Sequence, residues 1–453
     1  MSNITLGQAA LWCGGSVEEK YADVTFLGAN MDSRKILPGQ LFVALEGVRD
    51  GHDFIPMAME KGAAAVLCKH TVGDCPAIVV EDPRIALGKI AAAHRQQFGM
   101  KVVAVTGSVG KSTTKEMIAA VLEGDFIVSK TPANHNNDIG MPMAILAMPE
   151  DTQIAVLEMG LNHFGEISYL TNIGRPDVAV IVNIGTMHIE HLGSREGILQ
   201  AKLEILEGLK EGGKVYLNGD DDMLWGSKAN LGRRARYFGK DNPASDLRAR
   251  VLRSEPGKLS FQVASEDEVF TVELPLEGDH YIPDALAAAA VGLHFGVAPQ
   301  RIRQRLADFR NMEGRQEIFE TKGMTVIKDC YNAGPESMAA ALNVLKNRPG
   351  RRIAVLGDML ELGDRTREEH EKVGALAASC ADVLLSFGPS REYMIAGAVA
   401  AGMDPENTGA FESREDMAQS LRQNAAEGDV LLFKGSHGMH MELVLEQFLK
   451  EER

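Results

Sequence analysis

The chain has 453 residues, enough for about three domains at roughly 150 residues each. With 45% apolar and 24% charged residues it has the composition of a folded protein, which excludes a mainly disordered one. Its net charge of −16 excludes a general attraction to nucleic acid or anionic membrane, so an anionic ligand must be met by a few placed cations. The five cysteines (Cys13, Cys68, Cys75, Cys330, Cys380) are scattered and form no Cys-x-x-Cys pair, so neither a disulfide framework nor a structural zinc site is expected. The N-terminal MSNITLGQAALW lacks the basic start and apolar centre of a signal peptide, and no apolar run approaches the ~18 residues of a membrane span. A soluble cytoplasmic protein is expected.

Along the chain, short apolar runs at 41–45, 63–67 and 77–80, punctuated by Gly and Pro, predict a small α/β unit over residues 1–98. Residues 84–98 have helical spacing and lead into the next unit. From 99 to 310 the runs KVVAVT (101–106), IAVLE (154–158), VAVIVN (178–183) and VYLN (215–218) read as parallel strands buried on both faces. A helix over 115–122 and another over 284–295 flank them, and 246–274 alternates as antiparallel strands do. The pattern predicts a doubly wound, mostly parallel central sheet. Residues 311–453 repeat the βα rhythm as a Rossmann-like α/β unit. Its strands end at Asp329, Asp358, Gly388 and Gly435, and its helices run over 336–347, 367–380 and 413–425.

The sharpest local signal is TGSVGKST, Thr106-Gly107-Ser108-Val109-Gly110-Lys111-Ser112-Thr113, between a strand and a helix. Phosphate binding needs backbone N–H groups turned into one concavity, and the two glycines let the chain approach closely. Lys111 would neutralise the outer phosphates and the Ser112 hydroxyl would ligate magnesium. Val105 stands where the standard pattern begins with Gly, so the loop is a shortened form. Glu158 closes the strand IAVLE, a position suited to a metal-holding carboxylate beside such a loop. Other candidates are ambiguous from the residues alone. His188 and His191 in a loop, and Lys202 on a helix, are more often solvated than functional. The amide cluster Asn134 to Asp138, which includes Asn137, suits a turn nearly as well as a ligand. Arg315, Asp329, Asn332, Lys434 and Ser436 fall where open α/β sheets gather ligands, whereas Arg310 and Arg315 suit interface ion pairs equally well.

Taken in order, these blocks resemble the Mur ligases, ATP-dependent enzymes of bacterial wall synthesis that form amide bonds. The resemblance rests on Asp32-Ser33-Arg34, PGQLFVAL (38–45) and DGHDFI (50–55) in the first unit. In the second it rests on TGSVGKST, TPANHNNDIG (131–140), EMGLNHFGEI (158–167), the His188 loop and AKLEIL (201–206). In the third it rests on MEGRQE (312–317), DCYNAGPESM (329–338), LGDMLELG (356–363) and KGSHGMHME (434–442). A phosphate loop alone says little about reaction type; eight or more blocks in order say much.

The resemblance implies that the first unit holds a uridine-diphosphate substrate, the second ATP and the third an amine. The substrates it implies are UDP-N-acetylmuramoyl-tripeptide and D-alanyl-D-alanine, joined through an acyl phosphate by a monomer that needs two magnesium ions. It gives Ser112 and Glu158 as ligands of one magnesium, and His188 with a carbamylated Lys202 as ligands of the other. Lys111, Lys202, His188 and Arg315 become the catalytic set. Asn137, Asp284, Arg315 and Asp329 become ATP contacts, and Ser33, Arg34, Asn332, Lys434 and Ser436 substrate contacts. Four positions depart from the family pattern: Asp284 replaces an Asn, Gly334 an Asn, His437 an Arg, and His191 a small residue. A nucleotide-dependent switch would need neither the His188–Lys202 pair nor the third unit. Folylpolyglutamate synthetase and the other Mur-type ligases are rivals within the class.

Overall fold

The structure, a computed structural model, describes residues 3–450; residues 1–2 and 451–453, included in the expected outer units, lie outside the described residues. A four-stranded parallel sheet takes its strands in chain order from Ala29–Asn30, Leu41–Val43, Ala65–Cys68 and Ala77–Val79. Its core is not self-contained. Phe26, Leu41 and Leu67 share one apolar cluster with Val102, Ala104 and Leu157 of the next sheet. The helix Pro83–Gln96 contributes Leu87 and Ile90 to that cluster. It starts where the spacing predicts, capped by Asp82, whose carboxylate accepts from the N–H of Arg84 and Ile85.

The central sheet has nine strands. Val128–Lys130, Ile154–Glu158, Lys101–Thr106, Val178–Ile181, Lys214–Asn218, Ala235–Gly239 and Leu247–Glu255 are neighbours in that order and all parallel. Lys258–Ala264 and Val269–Leu274 then add an antiparallel edge, as the alternation over 246–274 predicts. Unbroken Val, Ile and Ala runs form the middle strands because both faces are covered. The helices Lys111–Leu122 and Ile282–His294 bury one face, while Pro83–Gln96 and Glu166–Gly174 bury the other. The helix predicted over 115–122 begins four residues earlier, at Lys111. Gly110, with φ of +86°, turns the loop so that the helix opens directly from it.

The last sheet has the order Glu317–Thr321, Met324–Asp329, Val430–Lys434, Arg352–Gly357, Val383–Phe387 and Thr408–Phe411, parallel except for its first pair. Helices Pro335–Lys346, Thr366–Cys380 and Arg414–Asn424 match the predicted ones, and Arg391–Ala400 is an additional helix. The whole is the three-part α/β architecture that the sequence predicts. In both large sheets consecutive strands diverge beside a central one, which opens a crevice at their carboxyl ends.

Candidate active site

Lys101–Thr106 lies between Ile154–Glu158 and Val178–Ile181, so three strand ends meet at the crevice of the central sheet. The first leads into the loop 106–113, the second ends on Glu158 and the third runs into Asn183. Facing them are Arg315 and the turns after Met324–Asp329 and Val430–Lys434. Between the two sheets is a cavity of about 620 Å³.

The loop is held in a tight curl. Thr106 Oγ1 donates to the Met159 carbonyl (2.8 Å), and Asn183 Oδ1 accepts from the N–H groups of Ser108 (3.0 Å) and Val109 (2.8 Å). A Cβ on Gly110 would stand 2.7 Å from Asp284 Oδ1, and one on Gly107 would stand 3.0 Å from Val182 Cβ, so neither glycine has room for a side chain. Lys111 folds over the loop, its Nζ donating to the carbonyls of Gly107 (2.9 Å) and Ser108 (3.2 Å). Burial lowers its pKa, an effect that nearby Glu158 opposes. The amides of Lys111, Ser112 and Thr113 open a helix of twelve residues and have no carbonyl partner within it. That is the arrangement of an anion site: N–H groups, a helix N-terminus and a lysine folded over the loop.

Glu158 is buried. Its Oε1 accepts from Asn136 Nδ2 (2.8 Å), while Oε2 accepts no hydrogen bond and has Lys115 Nζ 3.6 Å away. A buried carboxylate oxygen without a donor is costly and suits a cation ligand. Lys115 is itself fully buried and donates to the Thr131 carbonyl (2.8 Å). Ser112 Oγ accepts from Arg315 of the facing lobe (3.0 Å), whose guanidinium stacks over Tyr331 at 4.0 Å.

His188 lines the same cavity and has φ of +64°. Lys202 does not line it: the side chain is buried in the helix Arg195–Leu203 and makes no hydrogen bond or ion pair among the described residues. Burial, and secondarily the charge of Lys111, hold its pKa well below that of an ordinary lysine. The charged form of the amine is therefore disfavoured there.

The facing lobe supplies an ordered polar wall. Lys434, buried, pairs with Asp329 Oδ2 (2.6 Å) and donates to the Asn332 carbonyl (2.9 Å), tying two loops together. Asn332 lines the cavity and caps the Ala333 N–H. Asp284 is buried against the phosphate loop and accepts from Thr114 Oγ1 (2.6 Å); desolvation raises its pKa to about 7. His280, beside it in the lining, is held near 4 by burial.

The structure thus brings Ser108 to Thr113, Asn137, Glu158, His188, Asp284, Arg315, Asp329, Asn332 and Lys434 to one cavity. Thr106 and Gly107 shape the loop from behind. Asn137 accepts from Gly140 N–H (2.7 Å), a turn contact, and it is Asn136 that reaches Glu158. Ser436 is outside the lining, spent on Leu360 N–H (2.9 Å) and the Ala333 carbonyl (3.2 Å). Ser33 and Arg34 lie in the first lobe, also outside it. Arg34 is largely exposed and bidentate with Asp32, while buried Ser33 donates to Met57 Sδ. Arg310 donates to backbone carbonyls and forms no interface ion pair among the described residues.

Comparison with known proteins fixes the family. Residues 105–292 match the profile of the Mur ligase middle domain, residues 314–437 that of the Mur ligase glutamate ligase domain, and residues 24–95 that of the Mur ligase family catalytic domain. The UDP-N-acetylmuramoyl-tripeptide–D-alanyl-D-alanine ligase of Bacillus subtilis is 38% identical over 446 residues, 96% of each chain. The chain belongs to the Mur ligase family. Among solved Mur ligases it is similar to MurF from Acinetobacter baumannii, with a TM-score of 0.91 at 30% identity over the full length of both chains. It is also similar to the MurF ligase from Thermotoga maritima in complex with ADP, with a TM-score of 0.83 at 33% identity over 93% of this chain and 97% of that one.

Sequence reasoning missed Lys115, Asn136, Asn183 and Tyr331. Lys115 has a signal in retrospect, being a lysine on the apolar side of a helix that begins at a phosphate loop. Asn136 and Asn137 cannot be told apart without the turn geometry, because both sit in one amide-rich segment.

Proposed function

We propose that this Mur ligase joins D-alanyl-D-alanine to UDP-N-acetylmuramoyl-tripeptide at the expense of ATP, releasing ADP and phosphate, in peptidoglycan precursor synthesis. The observation that carries the reading is the cavity itself. A phosphate loop with its cation Lys111 faces Arg315, Asn332 and Lys434 of a second α/β lobe across about 620 Å³. Relatives that bear this ligase name match nearly the whole chain, at 38% identity in Bacillus subtilis and 36% in Escherichia coli. One carboxylate oxygen of the tripeptide attacks the γ-phosphorus and ADP departs, so a poor leaving group becomes phosphate. The amine of the dipeptide then attacks the acyl carbon, loses a proton and expels phosphate, leaving an amide.

The protein contributes positioning and charge neutralisation rather than covalent steps. Lys111 and the amides of 110–113 hold the β- and γ-phosphates, and Arg315 adds a cation from the facing lobe. Ser112 Oγ, the donor-free Oε2 of Glu158 and the ring of His188 fit a magnesium site, being oxygen and imidazole ligands around one cavity. Two magnesium ions there would supply charge compensation for the transferring phosphoryl group. We assign a further oxygen ligand to Lys202: burial disfavours its charged form, so the amine could add carbon dioxide and lose a proton, becoming a carbamate.

Residues 1–98 are assigned to the uridine nucleotide through Ser33 and Arg34, 99–310 to ATP with Asn137, Asp284 and Asp329 at its edge, and 311–453 to the dipeptide through Asn332, Lys434 and Ser436. We take the protein to act as a cytoplasmic monomer on soluble nucleotide substrates; among the described residues no helix is long and apolar enough to cross a membrane.

The test mixes the protein with ATP, magnesium and both substrates, following phosphate release and product mass. Phosphate release that requires both substrates, with a product one dipeptide heavier less one water, is the expected result. ADP formation indifferent to either substrate would overturn the assignment.

A further inference from the structure

Across the junction of the central and last lobes, two residues with left-handed backbones touch. His188 has φ of +64° and Glu361 φ of +63°. His188 Nδ1 stands 2.8 Å from Glu361 Oε2, in a contact lying off the N–H axis. Non-glycine residues seldom adopt that backbone region, and such strain gathers where a side chain must be aimed. The two loops also approach closely, since a Cβ on Gly363 would stand 3.1 Å from Glu190 Cγ. Nδ1 is buried at this contact, and His188 lines the cavity.

We infer that Glu361 is a positioning residue: by engaging Nδ1 from the last lobe it fixes the ring and tautomer of His188 with Nε2 toward the cavity, so the metal site is completed only when that lobe is docked. The inference rests on the reading of His188 as a magnesium ligand. Its physical basis is general, since a metal-binding imidazole is oriented by the partner of its other nitrogen and loses about 10–100-fold in metal affinity without it. Removal of Glu361 also leaves the buried Nδ1 with no acceptor to select the tautomer.

A second contact across the same junction provides the control. Glu336 Oε1 accepts from the N–H (2.8 Å) and Oγ1 (3.0 Å) of Thr186, docking the same loop without touching His188. The experiment measures Mn²⁺ binding by electron paramagnetic resonance in the presence of a non-hydrolysable ATP analogue, together with the magnesium dependence of turnover. Glu361→Ala should weaken Mn²⁺ binding about 10–100-fold and raise the magnesium needed for half-activation in parallel, with KM for ATP at saturating magnesium nearly constant. Glu361→Gln, which keeps an acceptor, should recover part of the loss. Glu336→Ala, which removes the acceptor from Thr186, should leave Mn²⁺ binding within about twofold. The inference is overturned if Glu361→Ala binds Mn²⁺ as the parent does, or if Glu336→Ala weakens binding equally, because the effect would then be lobe docking alone. His188→Ala separates the two levels. If it leaves Mn²⁺ binding intact, the metal-ligand reading itself fails; if it alone weakens binding, only the role of Glu361 fails.

Discussion

Arg315→Ala is the substitution whose consequence follows most directly from the geometry. The guanidinium spans the lobe junction with one nitrogen on Ser112 Oγ at 3.0 Å and its plane 4.0 Å above Tyr331. The stack sets the plane of the fork, and Ser112 sits on the first turn of the phosphate-loop helix, so the cation is pre-aimed at whatever the loop holds. Against a triphosphate the neutral hydroxyl partner gives way to an anion, and such a charge-assisted bond contributes about 1.5–3 kcal/mol. At about 1.4 kcal/mol per tenfold, its loss lowers kcat/KM by roughly 10–150-fold. Arg315→Lys keeps the charge and loses the fork and the stack, so it should fall between parent and alanine variant. Phosphate release at varied ATP, with the tripeptide and dipeptide substrates saturating, gives kcat/KM, calorimetric ADP binding gives the contribution of the central lobe alone, and thermal unfolding checks integrity. ADP affinity should change little, because the loop amides and Lys111 remain. An Arg315→Ala enzyme of parental kcat/KM, with unaltered Tm, would refute the claim that this residue meets the transferring phosphoryl group.

Lys202→Ala should abolish ligation while ADP binding stays within a few-fold, as the side chain is buried beside the site and not in the cavity lining; an active alanine variant, measured by product mass, would remove the carbamate from the account. Asp284 has a pKa raised to about 7 by burial, so its protonated form favours the fold, and the stability it lends in acid is lost as pH rises from about 4 through 7. Asp284→Asn abolishes that titration. Its Tm relative to the parent should therefore climb between pH 5 and pH 8, and a difference that is flat or falls over that range would contradict the assignment of a protonated buried carboxyl.

Much of the fold was legible because its strands are unusually plain. KVVAVT and IAVLE are buried on both faces, and their boundaries in the structure coincide with the apolar runs. The helix start at Lys111 was less legible, since Ser112, Thr113 and Thr114 are poor helix formers and only the left-handed Gly110 places the turn. The phosphate loop and Glu158 could be read locally, since each follows a strand directly. Arg315, Asp329 and Asn332 could be proposed from loop position, but that they meet the phosphate loop depends on lobe docking more than 200 residues away in sequence. Lys202 shows the opposite limit. A lysine in AKLEIL carries no sign of burial, and only its packing reveals an amine whose charge is disfavoured. Ser436 and Arg34 show that a motif residue can be occupied by its neighbours, with Leu360 and Asp32 as partners, and stand outside the cavity that the motif helps to frame.

The central claim is that the triphosphate lies on the turn after Lys101–Thr106, between the two large sheets. A crystal soaked with magnesium and a non-hydrolysable ATP analogue measures this directly. The account predicts phosphates on the amides of 110–113, with Lys111 Nζ moved from the carbonyls of Gly107 and Ser108 onto phosphate oxygens and a metal ion on Ser112 Oγ and Glu158 Oε2. A nucleotide bound elsewhere, with Lys111 still on those carbonyls, would contradict it.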